Sequence, residues 1–409
     1  MKKTILFSLV VLLVTMFSVG FAFAGGQEED EPKLITVYMS LLENEWEVIR
    51  GDIIPKFTAD TGIEVEAVQI TPENALRRAE AFVSAGKSGV DIIAVDAMLV
   101  DSAIKRGIIE DISDMEKDIP QTAIEALVDI GRKDGKLFFA PYRPNIQIFF
   151  YNDKVFSEND LKVPTTWDEL ISVSKVLYEK TGTQKFGMYG RKGEGLSCLL
   201  NGYIQSAGGD PLKLDSKECI ETFTFLKELW KYTNPESKGW STSKQIDPFA
   251  RGDIVMNIQW PFAINLLVQE RGMSEVKVAV VPKGPVDNMA TLGGEWLGLV
   301  KTSDAKEASK EFMKYMMSKE VQEIFIKKLS WPAMRSDCNE VVEPWAVPYF
   351  EVICEQMEKA VNRPAVPYWS QVSAILQKTF WEIVIDDEPV EVILKKSAAE
   401  VEKVIEENT

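Results

Sequence analysis

Apolar positions recur along this chain with two periods, and the switches between them define an alternation of strands and helices. Lys33 to Ser40, KLITVYMS, alternates and is rich in β-branched residues, which predicts a first strand. Trp46, Ile49, Ile53 and Phe57 then recur at helical spacing, with Pro55 marking a kink or break. Gly62 to Ile70 predicts a second strand and Glu73 to Ala85 a helix; Val90 to Val95 is an apolar third strand ending at Asp96, and a further helix crosses to Gly107. This half alternates β and α as a doubly wound sheet does. Ligands of such sheets sit beyond the carboxyl ends of the strands, here Ser40 to Glu45 and Asp96 to Leu99.

The stretch from Gly135 onward, GKLFFAPYRPNIQIFFYNDKVF, predicts a strand or hairpin, a polar turn pinned between Pro141 and Pro144, and a second apolar strand from Ile146 to Tyr151. The two prolines hold Tyr142 and Asn145 in extended geometry. Thr166 and Glu169 have the spacing of a capping box, and Leu170, Val173, Val176 and Leu177 supply the apolar face of the helix they start. Gly195 to Asp210 and Ser216 to Tyr232 predict further helices, and DIVMNI places a buried strand ahead of Gln259, Trp260 and Phe262.

These motifs resemble those of the family 1 extracellular solute-binding proteins, the sugar-capturing components of bacterial ABC importers related to maltose-binding protein. The resembling segments are GKLFFAPY, YNDKVF and PTTWDEL; FARGDIVMNIQWP; GGEWLG with the apolar strand after it; the helices Asp304 to Met317 and Lys319 to Lys328; WPAMRSD; and Arg363 to Val384. The resemblance runs from about Lys33 to the C-terminus and implies an α/β, two-lobe, type II binding-protein fold. Each lobe would be a mixed sheet flanked by helices, joined by a hinge of three crossings. It also implies discontinuous lobes, 33–143 with 296–332 and 144–295 with 333–409, with WPAMRSD as the third crossing. Gln259 stands where the family has Gly, and Trp260-Pro261-Phe262 reverses its order, so either aromatic is left to face the cleft. Glu295 is an extra residue between Gly294 and Trp296, which leaves the register there open by one.

Composition narrows the chemistry. At 409 residues, 45% of them apolar, the chain suits two lobes rather than one core. Lys2 and Lys3, an apolar run from Ile5 and Ala22-Phe23-Ala24 read as a signal peptide over 1–24, with an uncleaved membrane anchor as the plainer alternative. No Cys stands at the cleavage point, so a freely diffusing periplasmic protein, expected to be monomeric, is favoured over a lipid-anchored one. A net charge of −17 argues against nucleic acid. The complete absence of histidine excludes Ser-His-Asp and Cys-His catalysis and His-containing zinc sites, and neither a metal nor a cofactor is expected. Cys198, Cys219, Cys338 and Cys354 are left as either disulfides or free thiols.

A sugar needs polar partners for its hydroxyls and π-systems for its C–H faces. The polar candidates are Glu43, Glu45, Asp96, Asn145, Glu295 and Arg335, with Gly294 beside them; the stacking candidates are Trp46, Tyr142, Trp260, Trp296 and Trp369. Glu43 and Glu45 equally suit a helix start, Asp96 an N-cap, Trp46 a core position and Arg335 a surface ion pair. The reading is a sugar receptor that works with ABC permease subunits and breaks no bond. Its rivals are a carboxylate-pair hydrolase using two of Glu43, Glu45, Asp96 and Glu295, and the same fold carrying a non-sugar solute.

Overall fold

Twelve strands fall into two main sheets and one hairpin in the computed structural model, which describes residues 34–408. The expected signal peptide and the acidic leader after it lie outside the described residues. In chain order the strands are β1 (Leu34–Met39), β2 (Glu64–Gln69), β3 (Ile92–Asp96), β4 (Arg132–Lys133), β5 (Lys136–Leu137), β6 (Phe139–Ile146), β7 (Ile148–Asn152), β8 (Phe186–Gly187), β9 (Met256–Gln259), β10 (Val276–Ala279), β11 (Ala290–Leu299) and β12 (Ala360–Val361). The first sheet runs β12-β11-β3-β1-β2, with β6 also paired to β11; the second runs β10-β7-β9-β8. This is the two-lobe type II binding-protein fold, a mixed sheet in each lobe. β6 leaves the first sheet and becomes β7 of the second across the single residue Gln147, and the chain returns between β10 and β11.

β1, β2 and β3 are parallel, which explains the unbroken apolar run of β3: both its faces are covered. The helix predicted around Trp46 forms as Glu43–Val48, a π-helical stretch Ile49–Ile53 and Ile54–Thr61. Pro55 has no N–H for the preceding turn, so the ladder is interrupted where the sequence marks a kink. Thr166 caps the helix Trp167–Thr181 by accepting from Glu169 N at 3.2 Å. The Glu169 carboxylate goes to the backbone N–H of Thr165 at 2.7 Å, one residue short of a closed capping box.

The turn predicted between Pro141 and Pro144 does not form. Those residues lie inside β6, extended and hydrogen-bonded to β11. Two prolines are tolerated there because β6 pairs on one side only, leaving the other edge with no ladder to complete. The register shifts between Glu295 and Trp296, which pair with Arg143 and Pro141, so Tyr142 is the extra residue of a bulge. Its carbonyl accepts from Gln322 Nε2 at 2.8 Å instead of from the ladder.

The segment expected to be the third crossing also differs. Arg335 forms an isolated bridge with Ala123, and Met334 N donates to Gln322 Oε1 at 2.9 Å, so Trp331 to Asp337 stays against the first lobe. The chain reaches the second sheet with the helix Val347–Met357, where Tyr349 Oη donates to Val276 O at 2.6 Å. None of the four cysteines is in a disulfide; Cys198, Cys219 and Cys338 are buried and Cys354 is exposed.

Candidate functional site

Between the two sheets lies a cavity of about 490 Å³, within the usual range for a small-ligand site. The first lobe lines it with Leu42 and Glu45 beyond β1, Gln69 at the end of β2, Asp96 at the end of β3, Arg143 and Asn145 of β6, and Gly293 to Glu295 of β11. The second lobe contributes Glu194 and Cys198 from the helix Glu194–Ser206, with Thr242, Trp260 and Phe262.

Strand register explains one row of charge. Glu295 sits opposite Asp96 on β3 and opposite Arg143 on β6, so three adjacent strands bring two carboxylates and a guanidinium into line. Arg143 reaches Glu295 at 3.2 Å and Glu45 at 3.3 Å, and its guanidinium lies 4.3 Å from the ring centroid of Trp331. Tyr142 donates to Glu295 at 2.6 Å; Leu42 N and Trp331 Nε1 donate to Glu45 at 2.7 and 3.2 Å. Burial pushes the Glu295 carboxyl up, against the opposing pull of Arg143 and Tyr142. The same burial disfavours charge on Arg143, but Glu295 and Glu45 outweigh it and raise its pKa.

A second guanidinium ties the lobes together. Arg363, just after β12, donates to Asp96 and to Glu194 Oε1 at 2.9 Å. Glu194 also accepts from Trp369 Nε1 at 2.9 Å and from Ser373 Oγ at 2.6 Å. Asp96 caps the helix Ala97–Lys105 by accepting from Met98 N at 3.0 Å, so it is an N-cap and a cleft residue at once. Behind Arg363 lies a separate cavity of about 280 Å³, lined by Met98, Asp101, Ile130 and Ala365 among others.

Trp260 and Phe262 both line the interlobe cavity. The Trp260 ring passes so close to Gly293 that a Cβ there would stand 2.7 Å from it. Gly294 is demanded by the backbone: its φ is +122°, and a Cβ would meet Arg143 O at 2.3 Å.

Glu45, Asp96, Asn145, Trp260, Gly294 and Glu295 of the predicted residues thus meet in one cavity. The other six do not line it. Glu43 is exposed on the outer face of its helix turn. Trp46 is buried and donates to Gln69, with Arg50 4.1 Å from its ring. Tyr142 is fully buried behind Glu295. Trp296 points into the first core, donating to Leu127 O at 2.8 Å. Fully burying a large apolar side chain is worth roughly 1.5–3 kcal/mol. Successive side chains of a strand face opposite ways, so burying Trp296 turns Glu295 to the cleft. Arg335 lies away from the cleft, paired to Asp337 at 2.6 Å and donating to Met317 O. Trp369 is buried behind Glu194.

Arg143, Glu194 and Arg363 were not anticipated. Arg143 carries a local signal, a charge between two prolines inside the singled-out stretch. Glu194 and Arg363 are 169 positions apart, and no local pattern pairs them.

A two-lobe fold closing on a cavity built from both lobes defines a solute-binding protein of type II. The sequence profile of the bacterial extracellular solute-binding proteins matches residues 52–351, and the chain belongs to that family. It is 25% identical over 232 residues to the multiple sugar-binding protein of Streptococcus mutans serotype c, covering 51% of this chain and 55% of that one. It is 23% identical over 323 residues to the diacetylchitobiose binding protein DasA of Streptomyces coelicolor, covering 73% and 75% respectively. Its fold is similar to that of maltose-bound T. maritima MalE3, with a TM-score of 0.82, 23% identity, and coverage of 91% of this chain and 99% of that one. No helix among the described residues is long and apolar enough to cross a membrane.

Proposed function

We propose that this protein is the extracytoplasmic receptor of an ABC importer, holding a sugar between its lobes and presenting the closed form to permease subunits. The observation that carries this reading is the make-up of the cleft, where carboxylates oriented by the protein's own donors stand beside Trp260 and Phe262. Hydroxyls donate to the former and sugar C–H faces pack on the latter. The relatives named for saccharides, and a maltose-bound structural neighbour, support the same class. The ligand favours closure because only the closed form offers both walls. A swing from 1:99 to 99:1 needs about 5.5 kcal/mol of differential affinity.

The lobes are 34–146 with 292–341 and 148–289 with 366–408, the helix Val347–Met357 lying on the third crossing. The chain acts as a monomer, exported by its first 24 residues. In this reading it breaks no bond, as its relatives are named binding proteins; Glu45 and Glu295 share one guanidinium, and Asp96 and Glu194 share another.

A thermal-shift and calorimetry screen of mono- and disaccharides tests this reading: a saturable rise in Tm with no product supports it, and product release overturns it. One observation favours a second solute class. Four carboxylates stand against two guanidiniums in and behind the cleft, which suits a solute bearing an amino group. If amines raise Tm and neutral sugars do not, that second reading holds instead.

A further inference from the structure

The acids of the cleft outnumber the cations that serve them, and the shortfall falls at one place. Arg143 is divided between Glu45 and Glu295, and Arg363 between Asp96 and Glu194. Glu295 and Asp96 stand directly opposite each other on β11 and β3, which puts their side chains on the same face of the sheet. Each draws its donors from its own side: Glu295 from Arg143 and Tyr142, Asp96 from Arg363 and the N–H of Met98. Among the described residues no donor bridges the two. Like charges facing each other across a strand pair repel, and Glu295 is only 5% exposed. Burial first, then Glu45 and Asp96, push its carboxyl up. Both side chains line the interlobe cavity, so the group that answers this pair comes from the solute.

The rest of the cleft says what carries that group. Trp260 and Phe262 offer apolar ring faces. Asn145 and Gln69 have their amide oxygens taken, by the N–H of Ile146 at 3.1 Å and of Leu41 at 3.0 Å, so each keeps its NH2 as a donor for a hydroxyl. Aromatic faces and spare amide donors suit a sugar ring; two opposed carboxylates suit a cation on it.

We propose that the preferred solute is an amino sugar, an unacetylated hexosamine whose ammonium lies between Glu295 and Asp96 while its ring packs against Trp260 and Phe262. The proposal rests on the sugar reading above and deepens it from saccharide to a saccharide bearing a positive charge. A neutral sugar leaves the two acids facing each other in a closed, desolvated cleft. Acetylating the amine removes its charge and leaves the same defect.

The test is calorimetry on three matched sets: glucosamine, galactosamine and chitobiose, each beside its neutral parent (glucose, galactose, cellobiose) and its N-acetylated form. In a set that binds, the amine at about pH 6.5 has a Kd roughly tenfold or more below those of the other two members. That advantage shrinks at about pH 9.5, where the amine has lost its proton, and the neutral parent, measured at both, reports any change in the cleft's own acids. Glu295→Gln and Asp96→Asn each narrow the gap between amine and parent by roughly fivefold, and one serves should the other fail to fold. Trp260→Ala weakens amine and parent alike, as a site for the ring requires. A parent or N-acetylated form that binds as tightly as its amine, or a gap unchanged in both acid variants, overturns the amino-sugar preference while leaving the sugar reading standing. If no member of any set binds, both are overturned.

Discussion

Arg363 donates to Glu194 over 2.9 Å and also grips Asp96, so one guanidinium with a side chain 1% exposed fastens the end of β3 to the first turn of a helix in the other lobe. Arg363→Met leaves two partly buried carboxylates without their cation. Breaking a buried pair in this way costs about 3 kcal/mol. Urea unfolding should therefore show a lower midpoint, and small-angle scattering a wider ligand-free molecule. An unchanged midpoint and radius would remove Arg363 as the interlobe tie.

Acid should act through Asp337. The Arg335 guanidinium beside it holds its carboxyl at about 2, well below the ordinary carboxylate range. A depressed carboxylate contributes stability above its unfolded value near 3.9 and loses it as pH falls towards the folded value. Asp337→Asn should lower Tm at neutral pH, and its gap from wild type should close between about pH 4 and pH 2. A gap that stays constant over that window contradicts the assignment. Glu295, raised by burial, works in the opposite sense: its contribution is fully present below its unfolded value and lost as pH rises through the folded one.

Cys198 lines the cleft yet is buried, and burial pushes its thiol far above the usual range. In a Cys354→Ser background, which removes the exposed thiol, a water-soluble maleimide should label slowly, and saturating ligand should slow it further. Labelling that ligand leaves unaffected would mean that Cys198 does not report cleft opening.

Gly293→Ala places a methyl group against the Trp260 ring, 2.7 Å away if nothing moves. The ring must swing aside, so ligand binding should weaken by roughly tenfold and the tryptophan fluorescence change on binding should shrink. Trp260→Ala should abolish most of that fluorescence change. Full affinity in both variants would take Trp260 out of the ligand's reach.

The periods of the chain located its strands because each sheet forces an alternation or an unbroken apolar run. Six cleft residues were legible for a related reason: Asp96 ends a strand, Glu45 follows one, and Gly294 and Glu295 lie in the strand that returns between the lobes. Periodicity gives the alternation but not which parity faces the ligand. Glu295 and Trp296 are adjacent, and only pairing with β3 and β6 decides between them. Trp46, Trp296 and Trp369 are as large as Trp260 but are buried without lining the cleft. The ties of Arg363 span 169 and 267 positions, and nothing local announces a contact of that range.

β6 and β11 are not independent tethers, since they stay paired down to Leu292 and Ile146, the last residue of β6. Two of the three spans therefore flex together as a ribbon, stiff edgewise and pliant across its face. The halves of this molecule should nod rather than swivel, and the orientations sampled in solution should lie along a single arc.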